Sequence, residues 1–322
     1  MTVRNNNIDV LKILLAFLVV ALHIFPILKL EGIQDIISYE IANGISRIAV
    51  PTFFIISGYF LRNKINDTIY LWQYSKRILL LFIVWQLIYL PDLLQLYYLK
   101  RFTTIDVVLK IIFGYWHLWY LLASVLGVLV LYYSRNFSLK TKWFVIIILL
   151  LFGYSFQILN QSGIIEANSI VNQCYNWIGT TRNFLFFGYP LLLIGSIYDH
   201  WKSRLLPFKF LIFPLFVLLI LESFLYHKFE IKALDFLIFV FPISMFLVLV
   251  SIESKSITRI SFPPTLSLGI YLCHPFAIRA VYVFFPQKEL AFVLLKYFLI
   301  CLVAILCWWI VEKINRKFSW FF

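Results

Sequence analysis

Long apolar runs alternate with short polar connections from one end of the chain to the other. An α-helix needs about 20 residues to cross the hydrocarbon core of a bilayer. Ten stretches approach that length: 8–28, 45–61, 78–99, 118–133, 143–159, 184–198, 210–226, 234–252, 266–285 and 291–311. A weaker stretch, 104–114, has mixed polarity and predicts an interfacial or re-entrant helix rather than a span. No internal repeat, inverted pair of broken helices or low-complexity linker divides the chain. The expectation is an all-α polytopic bundle of about ten transmembrane helices. It forms one integral-membrane domain over residues 1–322, with no appended soluble domain.

The connections set an orientation. With the N-terminus in the cytoplasm, the inner segments hold Arg4, Arg62, Lys64, Lys76, Arg77, Arg135, Lys140, Lys142, Lys202, Arg204, Lys209, Lys255, Arg259, Lys313, Arg316 and Lys317. The outer segments hold Lys29, Lys100, Arg101, Lys110, Lys228, Lys232 and Lys288, fewer than half as many. Cytoplasmic loops carry the Lys and Arg excess in membrane proteins, so both termini are placed inside, which an even number of spans requires. The first run contains Asp9 and Lys12 and lacks a small-residue cleavage site, so it reads as a retained helix rather than a signal peptide.

Composition sharpens this picture. Apolar residues make up 62% of the 322, charged residues 13%, and the mean hydropathy is +0.91. A soluble core of this size could not hide that much apolar surface, so lipid must cover part of it. The net charge of +13 is spread in short clusters between apolar runs; that pattern fits orientation and anionic lipid, and argues against a nucleic-acid partner. Cys174, Cys273, Cys301 and Cys307 have neither metal-ligand spacing nor a disulfide framework, so no metal site is expected.

Ionisable residues at membrane depth cost roughly 2.5–3.5 kcal/mol, which makes each a candidate for function. In the first run Lys12 and His23 are eleven positions apart. That spacing returns to within about 20° of the same face, with roughly 16 Å between them along the axis. Lys12 reads either as an interfacial anchor, with Asp9 one turn away to pair with it, or as a cation for phosphate groups. His23 reads either as a structural histidine or as a general base. Arg47 opens the second run, where Pro51, Ser57 and Gly58 permit a kink and close helix approach. It is an outer anchor or a cavity residue that holds an anionic or glycan group. His117, Trp119 and Tyr120 begin the fourth run, as an aromatic belt or as a sugar-stacking surface. Arg182 and Asn183 stand at the mouth of the sixth. Glu222 lies inside the seventh, where a carboxylate needs a partner or a task. His274 enters the ninth, ahead of Pro275.

Taken in order, these residues resemble the acyltransferase-3 family of bacterial integral-membrane acyltransferases. The likeness runs through Asn7-Ile8-Asp9-Val10-Leu11-Lys12 followed by His23, and through Arg47 to Phe60, which is similar to the family's R-x-x-V-P-x-F-F-x-x-S-G stretch. It continues through His117-Leu118-Trp119-Tyr120-Leu121, Thr181-Arg182-Asn183 to Gly188, and Leu268 to Pro275. The chain departs from the family's R-x-x-R pattern at Lys76-Arg77-Ile78-Leu79-Leu80, where Leu80 stands in place of the second arginine. The resemblance implies transfer of an acyl group, usually acetyl, from cytoplasmic acyl-CoA to a hydroxyl of an envelope glycan or undecaprenyl-linked saccharide, in the bacterial inner membrane. No resident cofactor is expected; acyl-CoA is a co-substrate. It also implies His23 as the catalytic residue and Arg47 as a functional position in the second helix; Glu222, from its place inside an apolar run, is added as a third catalytic candidate. Lys12, Lys76 and Arg77 would meet the CoA phosphates, and His117, Trp119, Tyr120, Arg182, Asn183 and His274 would line the acceptor path. The rival readings are a transporter or flippase of a lipid-linked glycan, with His23 and Glu222 as proton carriers, and a non-catalytic partner of a polysaccharide synthase.

Overall fold

The computed structural model describes residues 5–25, 32–162, 164, 170, 172–173, 181–229, 237–255, 261–285 and 290–318. Arg4, Lys29, Cys174, Lys232, Arg259 and Lys288, named above, lie outside these residues. The described residues are helical, with no strand among them. In chain order the helices are α1 Asn6–Ile24, α2 Ile33–Tyr39, α3 Ala49–Leu61, α4 Thr68–Tyr98, α5 Thr104–Phe113, α6 Trp119–Tyr133 and α7 Leu139–Gln161. They continue as α8 Tyr189–Ser196, α9 Tyr198–Leu205, α10 Ile212–Lys228, α11 Val240–Glu253, α12 Leu266–Phe284 and α13 Leu290–Phe318.

Seven helical stretches among the described residues are long and apolar enough to cross a membrane: Asn6–Ile24, Ile33–Leu61, Thr68–Tyr98, Leu139–Gln161, Tyr198–Lys228, Leu266–Phe284 and Phe292–Lys317. Three shorter apolar helices, Trp119–Tyr133, Phe184–Ser196 and Val240–Glu253, coincide with the fourth, sixth and eighth runs. The mixed-polarity stretch forms α5, whose ten residues are too few to span.

The helix starts follow local chemistry. The Asn5 side chain accepts from the N–H groups of Asn7 and Ile8, satisfying donors that the first turn of α1 leaves open. Asp67 does the same for α4 and Ser138 for α7. A capping box starts α5: the Thr103 hydroxyl accepts from the Asp106 N–H while the Asp106 carboxylate accepts from the Thr103 N–H at 2.8 Å.

The second helical stretch begins twelve residues before the run read from the sequence. Gln34, Asp35, Ser38, Glu40 and Asn43 hide it from a hydropathy reading, but Ser38, Asp35 and Asn43 find partners, the first two on other segments. Ser38 donates to the Phe25 carbonyl at 2.9 Å, for example, and ties α2 to the end of α1. This stretch is not regular: α2 passes into a π-helical turn, Glu40–Gly44, then a 3₁₀ turn, Ile45–Ile48, before α3. Such turns re-aim side chains within an otherwise continuous helix.

Contacts group the chain into two compact units. The first comprises residues up to Phe53 and from Asp199 onward; the second runs from Phe54 to Tyr198. Within the first, α1 packs against α11, α12 and α13. The side chains of Asn5 and Asn7 donate to carbonyls of Ser251, Ser254 and Lys255, fastening the start of α1 to the end of α11. The Thr52 hydroxyl donates to the Ile48 carbonyl at 2.7 Å and lies 2.9 Å from the Ser244 hydroxyl, a buried polar link between α3 and α11. Helices α12 and α13 close tightly, since a Cβ on Gly269 would fall 2.0 Å from the Trp308 ring.

Within the second unit, α6 packs against α4 and α8, and α7 against α8. The tightest approach joins α3 and α8. A Cβ on Gly58 would meet the Leu192 carbonyl oxygen at 2.0 Å, and one on Gly195 would meet the Ile55 carbonyl oxygen at 2.1 Å. Small residues at such crossings let membrane helices gain contact area that lipid cannot replace.

Candidate functional site

In the first unit the structure brings two of the sequence-selected histidines together. His23, near the end of α1, stacks on His274 of α12 with ring centroids 5.0 Å apart and planes within 3°. The cause of His274's orientation lies in the next residue. Pro275 has no N–H, so the Tyr271 carbonyl four residues earlier lacks its helical donor. The His274 Nδ1 lies 2.6 Å from that oxygen. A carbonyl only accepts, so Nδ1 carries the proton, and Nε2 is the nitrogen left for other chemistry. His274 is 0% exposed, whereas His23 is half-buried.

Lys12 forms an ion pair with Asp9 at 2.8 Å, one turn below it on α1. Asp9 is itself buried against the first turn, so Lys12 is held in place while part of its side chain stays accessible. Arg47 follows the π turn; its Nη2 donates to the Asn43 Oδ1 at 2.7 Å. The two residues are four apart, the spacing at which neighbouring helical turns bring side chains together. Glu222 is buried in α10, with its oxygens accepting from the Ile238 and Phe239 N–H groups at 2.8 and 3.2 Å. These donors precede the first turn of α11, so a carboxylate there satisfies open backbone groups and complements the helix dipole. The partner that Glu222 requires at membrane depth is therefore main chain.

Lys296 is an ionisable residue inside an apolar run that the sequence did not single out. Lys296 lies in α13, is 1% exposed, and holds its ammonium 4.7 Å above the Tyr282 ring. That contact replaces part of the lost hydration by attraction to the ring face. The criterion that selected Glu222, an ionisable group inside an apolar run, identifies Lys296 equally well. Its neighbour Tyr297 donates to the Phe17 carbonyl of α1 at 3.2 Å.

In the second unit, His117 is buried just before α6, with its ring edge-on to Tyr89 at 5.4 Å. Trp119 and Tyr120 join an aromatic cluster in which Phe54 lies 6.5 Å from Trp119 and 4.6 Å from Tyr120. Phe187 lies 5.9 Å from Trp119. The Asn183 side chain accepts from the N–H groups of Leu185 and Phe186, capping the π turn Phe184–Gly188 that leads into α8. Arg182 acts electrostatically on Lys110. Burial pulls the Lys110 ammonium below its usual range; Asp106 opposes that shift and Arg182 adds to it. Lys76 and Arg77 are exposed on α4. No group of three or more metal-ligating side chains occurs among the described residues.

Comparison with known proteins places these residues in a family. The family model Acyl_transf_3, described as an acyltransferase domain, matches residues 5–313. An amino-acid racemase of Enterococcus faecalis is 27% identical over 297 residues, which cover 87% of this chain and 42% of that protein. A serine/alanine racemase of Enterococcus gallinarum is 27% identical over 337 residues, covering 99% of this chain and 47% of that protein. The chain spans less than half the length of these relatives. No solved structure matches it. The match over nearly its whole length, on a helical chain with seven apolar stretches long enough to span a bilayer, shows that the chain belongs to the acyltransferase-3 family.

Proposed function

We propose that the chain moves an acyl group, acetyl above all, from cytoplasmic acyl-CoA to a hydroxyl of an envelope glycan or lipid-linked saccharide, with His23 as general base or acyl relay. The observation that carries this reading is the stacked His23–His274 pair. Two cations 5.0 Å apart would repel each other, so the pair is suited to carry one positive charge rather than two. In the base mechanism a ring nitrogen of His23 takes the hydroxyl proton as the oxygen attacks the thioester carbonyl. The tetrahedral intermediate collapses with loss of the CoA thiolate, which takes the proton back. In the relay mechanism the nitrogen first bonds to the acyl carbon and releases the thiolate; the acceptor oxygen then displaces the imidazole, and the hydroxyl proton ends on the CoA thiolate.

The supporting residues divide by task. Lys12, steadied by Asp9, and the exposed Lys76 and Arg77 are the cations offered to CoA phosphates. Arg47, braced by Asn43, is the donor proposed for the oxyanion or the acceptor. The aromatic cluster of Trp119 and Tyr120 offers stacking faces to a sugar. Arg182 and His117 are the polar residues proposed to contact the acceptor. Glu222 is assigned to positioning, because its two oxygens already serve the start of α11. Both cytoplasmic termini and residence in the bacterial inner membrane, with ten spans, belong to the same proposal.

The test compares surface polysaccharide from cells with the intact chain or His23→Ala at matched membrane levels. NMR and mass spectrometry would read base-labile acyl esters. Esters present with the intact chain and absent with the variant are expected; full acylation by His23→Ala would sink the assignment. A second reading takes from the racemase names of the Enterococcus relatives only that an amino acid is handled there, and supposes an amino acid in place of the glycan as the acceptor here, acylated on its amine. N-acyl amino acids in the medium, with unchanged polysaccharide, would favour it over the glycan. Altered glycan export without any acyl product would favour a transporter.

A further inference from the structure

The turn between α4 and α5 has features that the acyl-transfer reading does not use. It borders a cavity of about 440 Å³ lined by Tyr97, Tyr98, Lys100, Arg101, Phe102 and Thr103. The first cation sits where the backbone favours glycine: Lys100 has φ 55°. It follows the end of α4, where the Lys100 N–H bonds to the Tyr97 carbonyl and the Arg101 N–H to the Leu96 carbonyl. Glycine fits this left-handed closing position without strain, and lysine does not. Among the described residues the other non-glycine at positive φ is Trp116, at 53°. The two flank α5.

Charge and apolar surface around the cavity are complementary to one class of molecule. Lys110 reaches back over the ring of Phe102, one of the lining residues, at 4.8 Å, and so brings a third cation to this turn. The nearby carboxylate, Asp106, is committed to Thr103, accepting from both its N–H and its hydroxyl. Helix α5 buries none of its residues, and Ile105, Val108, Ile111 and Ile112 stand exposed along it. A soluble anion would use the cations and leave that apolar face unmatched. A molecule with a phosphate diester and acyl chains matches both.

We propose that the α4–α5 turn is a binding site for an anionic glycerophospholipid, with its phosphate at Lys100 and Arg101 and its chains along α5. The experiment uses the full-length protein in detergent with added phosphatidylglycerol or phosphatidylcholine, read by native mass spectrometry and thermal unfolding. Phosphatidylglycerol should be retained and phosphatidylcholine washed away. A Lys100→Ala/Arg101→Ala variant should bind phosphatidylglycerol roughly thirtyfold more weakly, the product of two interfacial cations. Lys100→Gly separates strain from binding: it should melt higher than the parent protein and still bind phosphatidylglycerol several-fold more weakly. Equal retention of both lipids, or retention unchanged in the double variant, would overturn the site. Glycerol phosphate displacing the lipid as well as phosphatidylglycerol does would overturn the role of the acyl chains. Neither outcome bears on acyl transfer, which the His23→Ala comparison tests separately.

Discussion

Replacing His274 separates architecture from chemistry, because one ring nitrogen serves each. The Nδ1 satisfies the Tyr271 carbonyl at 2.6 Å in a fully buried setting. His274→Ala removes that donor and opens a void; an unsatisfied buried acceptor costs about 1–3 kcal/mol, and the void adds to it. His274→Asn places an amide N–H close to the position of Nδ1 and should recover most of the donor's share, while it supplies nothing in place of Nε2. The two variants should therefore differ in thermal unfolding, with Asn the more stable, yet both should lose turnover. If the imidazole pair handles the acceptor proton, a fall of about 10²- to 10⁴-fold is expected in each. The assay is acyl-CoA consumption in proteoliposomes holding equal amounts of folded protein. An Asn variant with native stability and full turnover would refute the reasoning, and leave His274 as a helix-lining residue beside His23.

Pro275→Ala should move stability and activity in opposite directions. It restores a donor to the Tyr271 carbonyl and removes a proline that costs about 3 kcal/mol in a helix interior, so unfolding should shift upward while turnover falls as His274 loses its anchor. A variant that gains stability with unchanged turnover would show that the anchor is dispensable. Lys296→Met keeps the volume and drops a charge held against an aromatic ring in an apolar helix. It should raise the melting temperature, and a loss of turnover in that more stable protein would mark the ammonium as functional. The capping box gives a pH prediction. The Thr103 N–H and hydroxyl hold the Asp106 carboxyl below its usual range, so its contribution is present above the ordinary carboxylate pKa of about 4 and is lost as pH falls through the lower folded value. Hydrogen exchange in α5 should accelerate over that acid window, and Thr103→Ala, worth about 1 kcal/mol, should reduce the pH dependence without abolishing it, because the backbone N–H at 103 still donates to Asp106.

The helices were legible because lipid imposes length and apolarity, and the matched runs show it. What hydropathy missed has particular causes. The stretch 33–44 carries polar residues whose partners lie on other segments, as Ser38 with Phe25, so its helicity depends on tertiary contacts. The pairing of His23 with His274 joins residues far apart in sequence, and nothing local announces it. The His-Pro step was visible, but its meaning required knowing that the Tyr271 carbonyl is the one left bare. The demand of Glu222 for a partner followed from burial cost alone; that main-chain N–H groups meet it depends on where α11 begins. Lys296 sat among apolar residues, as readable as Glu222.

The crossing of α3 and α8 has a mechanical consequence. With Gly58 and Gly195 each set against the other helix's carbonyl oxygens, the two rods have no side-chain cushion between them. Sliding by even an ångström would drive backbone into backbone, so the crossing behaves as a pinned joint. Any breathing that admits a bulky molecule to this unit must come from elements packed through compressible side chains, with the joint as their fixed reference.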